Sequence, residues 1–252
     1  MKDSKMTNPN QISKKQAWED WTPHYPEQFL HLKTKGMNFQ FTRKWFQRRN
    51  QCTFSTFLPK LLDVMQPINL LQIGIFEGMD LCWQMEHVCS HPDSRVVAID
   101  PWVPLSKIDQ AYMVGVQMRA RRNLSHWKDK IKIEKGFSCH DPNTPKFEGI
   151  KTHVLDELIR HPVLIGGKTI KAGEWDLIVI DGEHSAEYVF EDAIRSMQLC
   201  RVGGIMLFDD VRNTQRKKNH VQDALTKFFN LMGDKVETAF YHRFCNAVRK
   251  LS

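Results

Sequence analysis

The chain predicts an α/β fold, a mostly parallel sheet covered by helices on both faces. Three observations point there. Short apolar runs alternate with segments of helical periodicity from Thr53 onward. Each central run ends in Gly or Asp, the residues that close a strand and open a turn. The last two runs are joined by only a short polar connection, which implies an antiparallel pair at the sheet edge.

Taken in order, residues 53–65 pattern as a helix despite Pro59, and NLLQI (69–73) is a buried strand ending at Gly74. MDLCWQMEHVC is the next helix and RVVAID (95–100) the second strand. Residues 109–124 are helical, and IKIEK (131–135) is the third strand. WDLIVID (175–181) and GIMLFDD (204–210) are the fourth and fifth strands, with a helix over 185–199 between them. In that helix Ala186, Val189, Phe190, Ala193, Ile194 and Met197 share one face, the pattern of a core-packing surface. A helix near 219–231 precedes KVETAF and RFCNAVR, the terminal strand pair.

Two segments stand outside this alternation. Residues 1–50 read as a loose tail (1–13) and a cap rich in aromatic and basic residues (14–50), with residues 51–252 as the main domain. Residues 136–174 form an insert that holds a helix-like piece, THVLDELIRH, and a hairpin-like VLI-Gly166-Gly167-KTI. From about residue 139 onward the insert reads equally as a substrate lid or a structural flap.

Bulk composition is that of an ordinary globular chain, with 41% hydrophobic and 26% charged residues. No apolar run has the length of a membrane span, and the polar start lacks the apolar stretch of a secretory signal. The expectation is a soluble cytoplasmic protein. Cys52, Cys82, Cys89, Cys139, Cys200 and Cys245 include no CxxC pair and read as reduced, mostly buried thiols. His87, Cys89 and His91 do not have zinc-finger spacing. The net charge of +7 favours anionic partners in general.

Ligands of a parallel α/β sheet bind beyond the carboxyl ends of its strands. The strand ends carry four constellations. Gln72-Ile-Gly74-Ile-Phe76-Glu-Gly78 joins a strand to a helix with GxxxG spacing. Its glycines admit a ligand to the backbone, although a plain tight turn has the same composition. The GxGxxG dinucleotide fingerprint is absent, which disfavours a nicotinamide dehydrogenase. Asp100 ends the second strand, where an acid can accept hydrogen bonds from ribose hydroxyls or cap a turn. Asp181-Gly-Glu-His184 and Asp209-Asp210 close the fourth and fifth strands. Carboxylates gathered at one sheet edge repel, and a hard cation such as Mg2+ would relieve that repulsion. Solvated carboxylates capping the next helices are the other reading.

Together LLQIGIFEGMDLCW, VVAIDPW, WDLIVIDGEHS and RVGGIMLFDDV resemble class I S-adenosylmethionine-dependent methyltransferases, in the branch of the macrocin and catechol O-methyltransferases. The likeness runs from about Thr53 to Lys250. It implies a Rossmann-like sheet, here with seven strand candidates, and S-adenosylmethionine as cofactor. Gly74 and Gly78 would border the methionine part, with Gln72 and Phe76 in the same turn. Asp100 would hold the ribose and Ser138 would sit near the adenine, while Asp181 would face the cofactor. Metal-dependent relatives place ligands where Asp181, Asp209 and Asp210 stand, which implies Mg2+ there. Asp181 and His184 are the catalytic candidates, His184 as general base. Relatives commonly carry an acid where Gln72 stands, and often where Phe137 stands.

The expected reaction is an in-line methyl transfer to an oxygen of a small hydroxylated acceptor. One alternative is a nucleic-acid methyltransferase, suggested by Arg43, Lys44, Arg48 and Arg49, by Arg119, Arg121 and Arg122, and by Arg216, Lys217 and Lys218. It is not favoured, because DGEH ends strand four where amino-group methylases of bases carry an Asn/Asp-Pro-Pro-aromatic stretch. The other alternative is a non-catalytic cofactor-binding module. A homodimer is compatible with the sequence.

Overall fold

The structure is a computed structural model that describes residues 39–42, 53–103, 110–139, 149–211, 220–242 and 244–252. Its elements follow the expected order. Helix α1 (Thr53–Leu61) leads into β1 (Asn69–Ile73), α2 (Met79–His87), β2 (Arg95–Asp100), α3 (Gln110–Leu124) and β3 (Ile131–Lys135). After α4 (Val154–Arg160) come the short strands β4 (Val163–Ile165) and β5 (Lys168–Ile170). Then follow β6 (Trp175–Ile180), α5 (Ala186–Leu199), β7 (Cys200–Phe208), α6 (His220–Met232), β8 (Val236–Tyr241) and β9 (Asn246–Lys250).

Seven strands form one sheet in the order β3-β2-β1-β6-β7-β9-β8. Pairing is parallel from β3 through β7, while β9 runs antiparallel to both its neighbours. The strand order reverses between β1 and β6, so a crevice opens beyond the carboxyl ends of those two strands.

Side-chain alternation divides the core between two faces. Leu70, Val96, Ala98, Leu177, Val179, Ile205 and Leu207 pack with α1, α2 and α3. Leu71, Val97, Ile99, Ile178, Ile180, Met206 and Phe208 pack with α4, α5 and α6. A strand buried on both sides reads as a continuous apolar run, which is why WDLIVI and RVVAI signalled so clearly. Each fully buried Val, Leu or Ile contributes ~1.5–3 kcal/mol. The α5 face forms as expected, with Val189, Ala193 and Met197 buried and Ala186, Phe190 and Ile194 packed partly against them.

Several boundaries differ from the sequence reading, α1 for one ending at Leu61 where the pattern ran to residue 65. β7 begins at Cys200, not 204, because Cys200 pairs with Trp175 across an irregularity in β6–β7 register. The exposed Arg201 and Val202 that open it show no apolar alternation. Asp181, Asp209 and Asp210 lie just past their strands, not within them. The terminal hairpin turns later, around 242–245, closed by bonds between His242 and Cys245.

Part of the insert sits away from the crevice. β4 and β5 form their own antiparallel hairpin. Arg95 Nε donates to Ile165 O at 2.9 Å, and Lys168 Nζ to Asn69 Oδ1 at 3.0 Å. Asn69 and Arg95 are the paired first residues of β1 and β2. The hairpin therefore covers the amino ends of the strands, opposite the crevice. Among the described residues of the insert, Gly136, Ser138, Lys151 and Leu155 lie by the carboxyl end of β3, where Gly136 bridges Lys151 and the Leu155 N–H donates to Ser138 O. Residues 140–148 lie outside the described residues.

Of the expected N-terminal cap, residues 39–42 are described, and they pack on the main domain. Phe39 and Phe41 lie against the first core face. Gln40 exchanges backbone bonds with the Asn123 amide at 2.8 and 2.9 Å. No helix among the described residues is long and apolar enough to cross a membrane. Cys82, Cys89, Cys139, Cys200 and Cys245 are free and buried.

Candidate active site

Four loops meet at the carboxyl edge. The first, Gly74–Gly78, follows β1. Gly74 has φ 87°, and a Cβ on it would lie 1.9 Å from Asp181 O, so only glycine fits. Its N–H donates to Ile99 O and the Asp181 N–H to Ile73 O, which zips β2, β1 and β6 together at the crevice. Gly78, also left-handed at φ 75°, starts α2.

Asp100 organises the second loop. Its Oδ2 accepts from the Ile75 and Phe76 N–H groups at 2.8 and 2.9 Å, and its Oδ1 from the Trp102 N–H at 2.8 Å. Trp102 Nε1 donates to Phe76 O at 2.9 Å. Asp100 thus fastens the β1 and β2 loops to each other. A carboxylate has about four acceptor positions, so one remains for a hydroxyl. Burial pushes its pKa up, and the three backbone donors oppose that rise.

The third and fourth loops carry the acids. Asp181 and Asp209 are raised well above the usual carboxylate range, chiefly by burial. Asp80 and Asp210 push Asp181 further up, and Asp181 and Asp210 do the same to Asp209. A ligand oxygen of Asp181 and one of Asp209 lie within 4.8 Å of each other. His184 Nε2 stands 3.5 Å from Asp181 Oδ1 and 3.9 Å from Asp210 Oδ2. That nitrogen is buried with no hydrogen-bond partner among the described residues.

One ligand atom each from Asp181, His184 and Asp209 falls within 4.8 Å of the others, close enough to hold one cation. Asp210, expected as the third ligand, sits at the rim with left-handed backbone (φ 53°). The donor set fits a divalent ion, since a cation would relieve three mutually repelling carboxylates.

Two expected residues are differently employed. Gln72 is fully buried beneath the turn. Its Nε2 donates to Gly74 O and to Asp80 Oδ2, both at 2.9 Å, and its Oε1 accepts from Gln84 Nε2 at 3.1 Å. Ser138 hydrogen-bonds the buried Asp192, which also accepts from Cys139 Sγ at 3.0 Å.

The sequence reading overlooked Asp80 and Glu77. Asp80 lies in the first turn of α2, 1% exposed. Glu77 is fully buried inside the glycine turn, where it accepts from Arg119 Nε at 2.6 Å, Thr42 N–H at 2.8 Å and Thr42 Oγ1 at 2.9 Å. The available signal was an acid at positions 77 and 80 of a motif whose strand position 72 holds an amide. Arg119 is thereby committed to an internal ion pair and does not join Arg121 and Arg122 in a free basic face. The other two basic clusters lie outside the described residues.

Residues 71–211 match the family described as methyltransferase domain. Over 155 residues the chain is 28% identical to an Arabidopsis thaliana protein that carries a provisional caffeoyl-CoA O-methyltransferase name, covering 61% of this chain and 51% of the relative. The chain thus spans about half the length of that curated relative. Among solved structures, an O-methyltransferase of Bacillus cereus in complex with S-adenosylhomocysteine is 18% identical, with 77% and 79% of the two chains covered and a TM-score of 0.47. A TDP-rhamnose 3'-O-methyltransferase of calicheamicin biosynthesis is 15% identical, with 81% of each chain covered and a TM-score of 0.49.

Proposed function

Because the chain belongs to the methyltransferase-domain family, we propose that it moves a methyl group from S-adenosylmethionine to a hydroxyl oxygen of a small acceptor, above β1 and β6. The observation that carries this reading is the unpartnered His184 Nε2 standing between Asp181 and Asp210 at the strand-order reversal.

Bound S-adenosylmethionine supplies a sulfonium methyl that an oxygen attacks from the side opposite sulfur, so the methyl joins oxygen and the bonding pair stays on sulfur. The chain's residues hold the two reactants. Gly74 lets the Asp181 backbone pass close beneath the crevice, and Asp100 offers its remaining acceptor position to a ribose hydroxyl. His184 Nε2 takes the acceptor's hydroxyl proton, and Asp181 at 3.5 Å stabilises the imidazolium that results. Asp181 and Asp209 would hold a divalent cation such as Mg2+, with Asp210 at the rim. Such a cation supplies Lewis acidity that lowers the pKa of a nearby hydroxyl and orients it. Two oxygens on adjacent carbons suit it best, which favours a vicinal diol in a sugar or catechol.

His184→Ala should lower kcat by about 100-fold or more, the usual contribution of a general base. Binding of S-adenosylhomocysteine should change little. The check is a methyl-transfer assay over a panel of diols, with calorimetry alongside. Wild-type turnover in the variant would remove His184 from the reaction, and absence of turnover with every hydroxylated acceptor would contradict the O-methylation reading.

A further inference from the structure

We propose that Asp80 supplies the negative charge that holds the α-ammonium group of the cofactor's methionine arm, acting through Gln72 and the Gly74 carbonyl. The inference rests on the reading that the crevice takes S-adenosylmethionine.

The network beneath the Gly74–Gly78 turn has too many acceptors. Asp80 Oδ2 receives Gln72 Nε2 at 2.9 Å and Gln84 Nε2 at 3.4 Å. Gln72 also donates to Gly74 O, and Gln84 to Gln72 Oε1. Gln84 Oε1 is left buried with no partner among the described residues. No Lys, Arg or His forms an ion pair with Asp80 among the described residues. A buried carboxylate held only by neutral amides is costly, and burial pushes this one up to about 7. Glu77, three residues away and equally buried, has its counterion in Arg119. The missing positive charge at Asp80 is thus specific to the floor of the turn.

Asp80 also faces the crevice electrostatically. It is the foremost charge acting on Asp181, ahead of the adjacent Asp210. Gly74 O is where the network meets the partly exposed turn, and Gln72 links that carbonyl to the carboxylate. A cation resting on the turn would hydrogen-bond the carbonyl and feel the charge below it. S-adenosylmethionine has two cationic centres. Its sulfonium must face the acceptor near His184 and Asp181, which leaves the α-ammonium for the turn.

The test is calorimetric titration of the full chain with S-adenosylhomocysteine, which keeps the ammonium, and with 5'-methylthioadenosine, which lacks the amino-acid end. Asp80→Asn should weaken S-adenosylhomocysteine about tenfold or more, and 5'-methylthioadenosine less than about twofold. The exchange variant, Gln72→Glu with Asp80→Asn, keeps one acid and one amide in the bonded pair and should recover most of the lost affinity. If Asp80→Asn does not fold, the exchange variant decides, because its loss of S-adenosylhomocysteine affinity would overturn the proposal. Equal losses for both ligands, or no loss for S-adenosylhomocysteine, would also overturn it while leaving the cofactor reading intact. A wild-type protein that binds neither ligand would overturn both.

Discussion

Asp80 and Asp100 show how two buried carboxylates in one site differ. Asp100 is surrounded by backbone N–H groups, three of which point at its oxygens. Asp80 accepts from the Leu81 and Asp80 backbone N–H groups and from the Gln72 and Gln84 amides, yet burial outweighs them and its pKa rises from 3.8 to about 7. A carboxyl with a folded pKa above its unfolded value binds its proton more tightly in the folded state. The resulting stabilisation is complete below about pH 4 and disappears as the pH rises through about 7. Asp80→Asn removes that titration. Thermal melts of ligand-free protein from pH 5 to pH 8 should therefore fall less steeply in the variant, which should melt higher than wild type at pH 8. Parallel curves would show that Asp80 is ionised with little penalty and has a partner that lowers its cost. Residue identities at this scale were only partly legible. Asp100, Asp181, His184 and Asp209 announced themselves by ending apolar runs. Asp80 did not, because its partners Gln72 and Gln84 approach from a strand and from the next turn of its own helix.

At the scale of elements, the hairpin β4–β5 is the clearest case of structure deciding what sequence left open. Its Gly166-Gly167 turn was readable, but the end of the sheet it covers was not. That depends on Arg95, 70 residues away, whose guanidinium bonds Ile165 O, Gly166 O, Pro92 O and Ser94 O. Arg95→Ala should lower the melting temperature through loss of charge-assisted bonds to carbonyls, each about 1.5–3 kcal/mol. It should leave KM for S-adenosylmethionine unchanged, since the hairpin sits opposite the crevice. A raised KM with an unchanged melting temperature would return the hairpin to the role of lid. The strands themselves were legible because those buried on both faces leave little choice of residue. The exception was the start of β7, where Arg201 and Val202 face solvent and carry no pattern.

Over the whole molecule, charge is distributed unevenly. The chain carries a net +7, yet Asp80, Asp100, Asp181, Asp209 and Asp210 converge on one sheet edge. Among the described residues, His184 is the basic side chain that comes within 3.9 Å of acids of this group. The strand order explains the convergence, since reversal between β1 and β6 brings the loops after β1, β2, β6 and β7 to a common crevice. Such an edge would attract positive ligands. Sequence order alone placed these acids at strand ends. It could not show that His184 brings a ligand atom within 4.8 Å of Asp181 and Asp209, because that depends on how the loops after β6 and β7 meet. The most direct measurement is titration of the protein with S-adenosylhomocysteine, with and without Mg2+, in wild type and Asp209→Asn. Binding in the wild type, strengthened by Mg2+ in a way that disappears in Asp209→Asn, is the predicted result. Absence of binding under every condition would contradict the account.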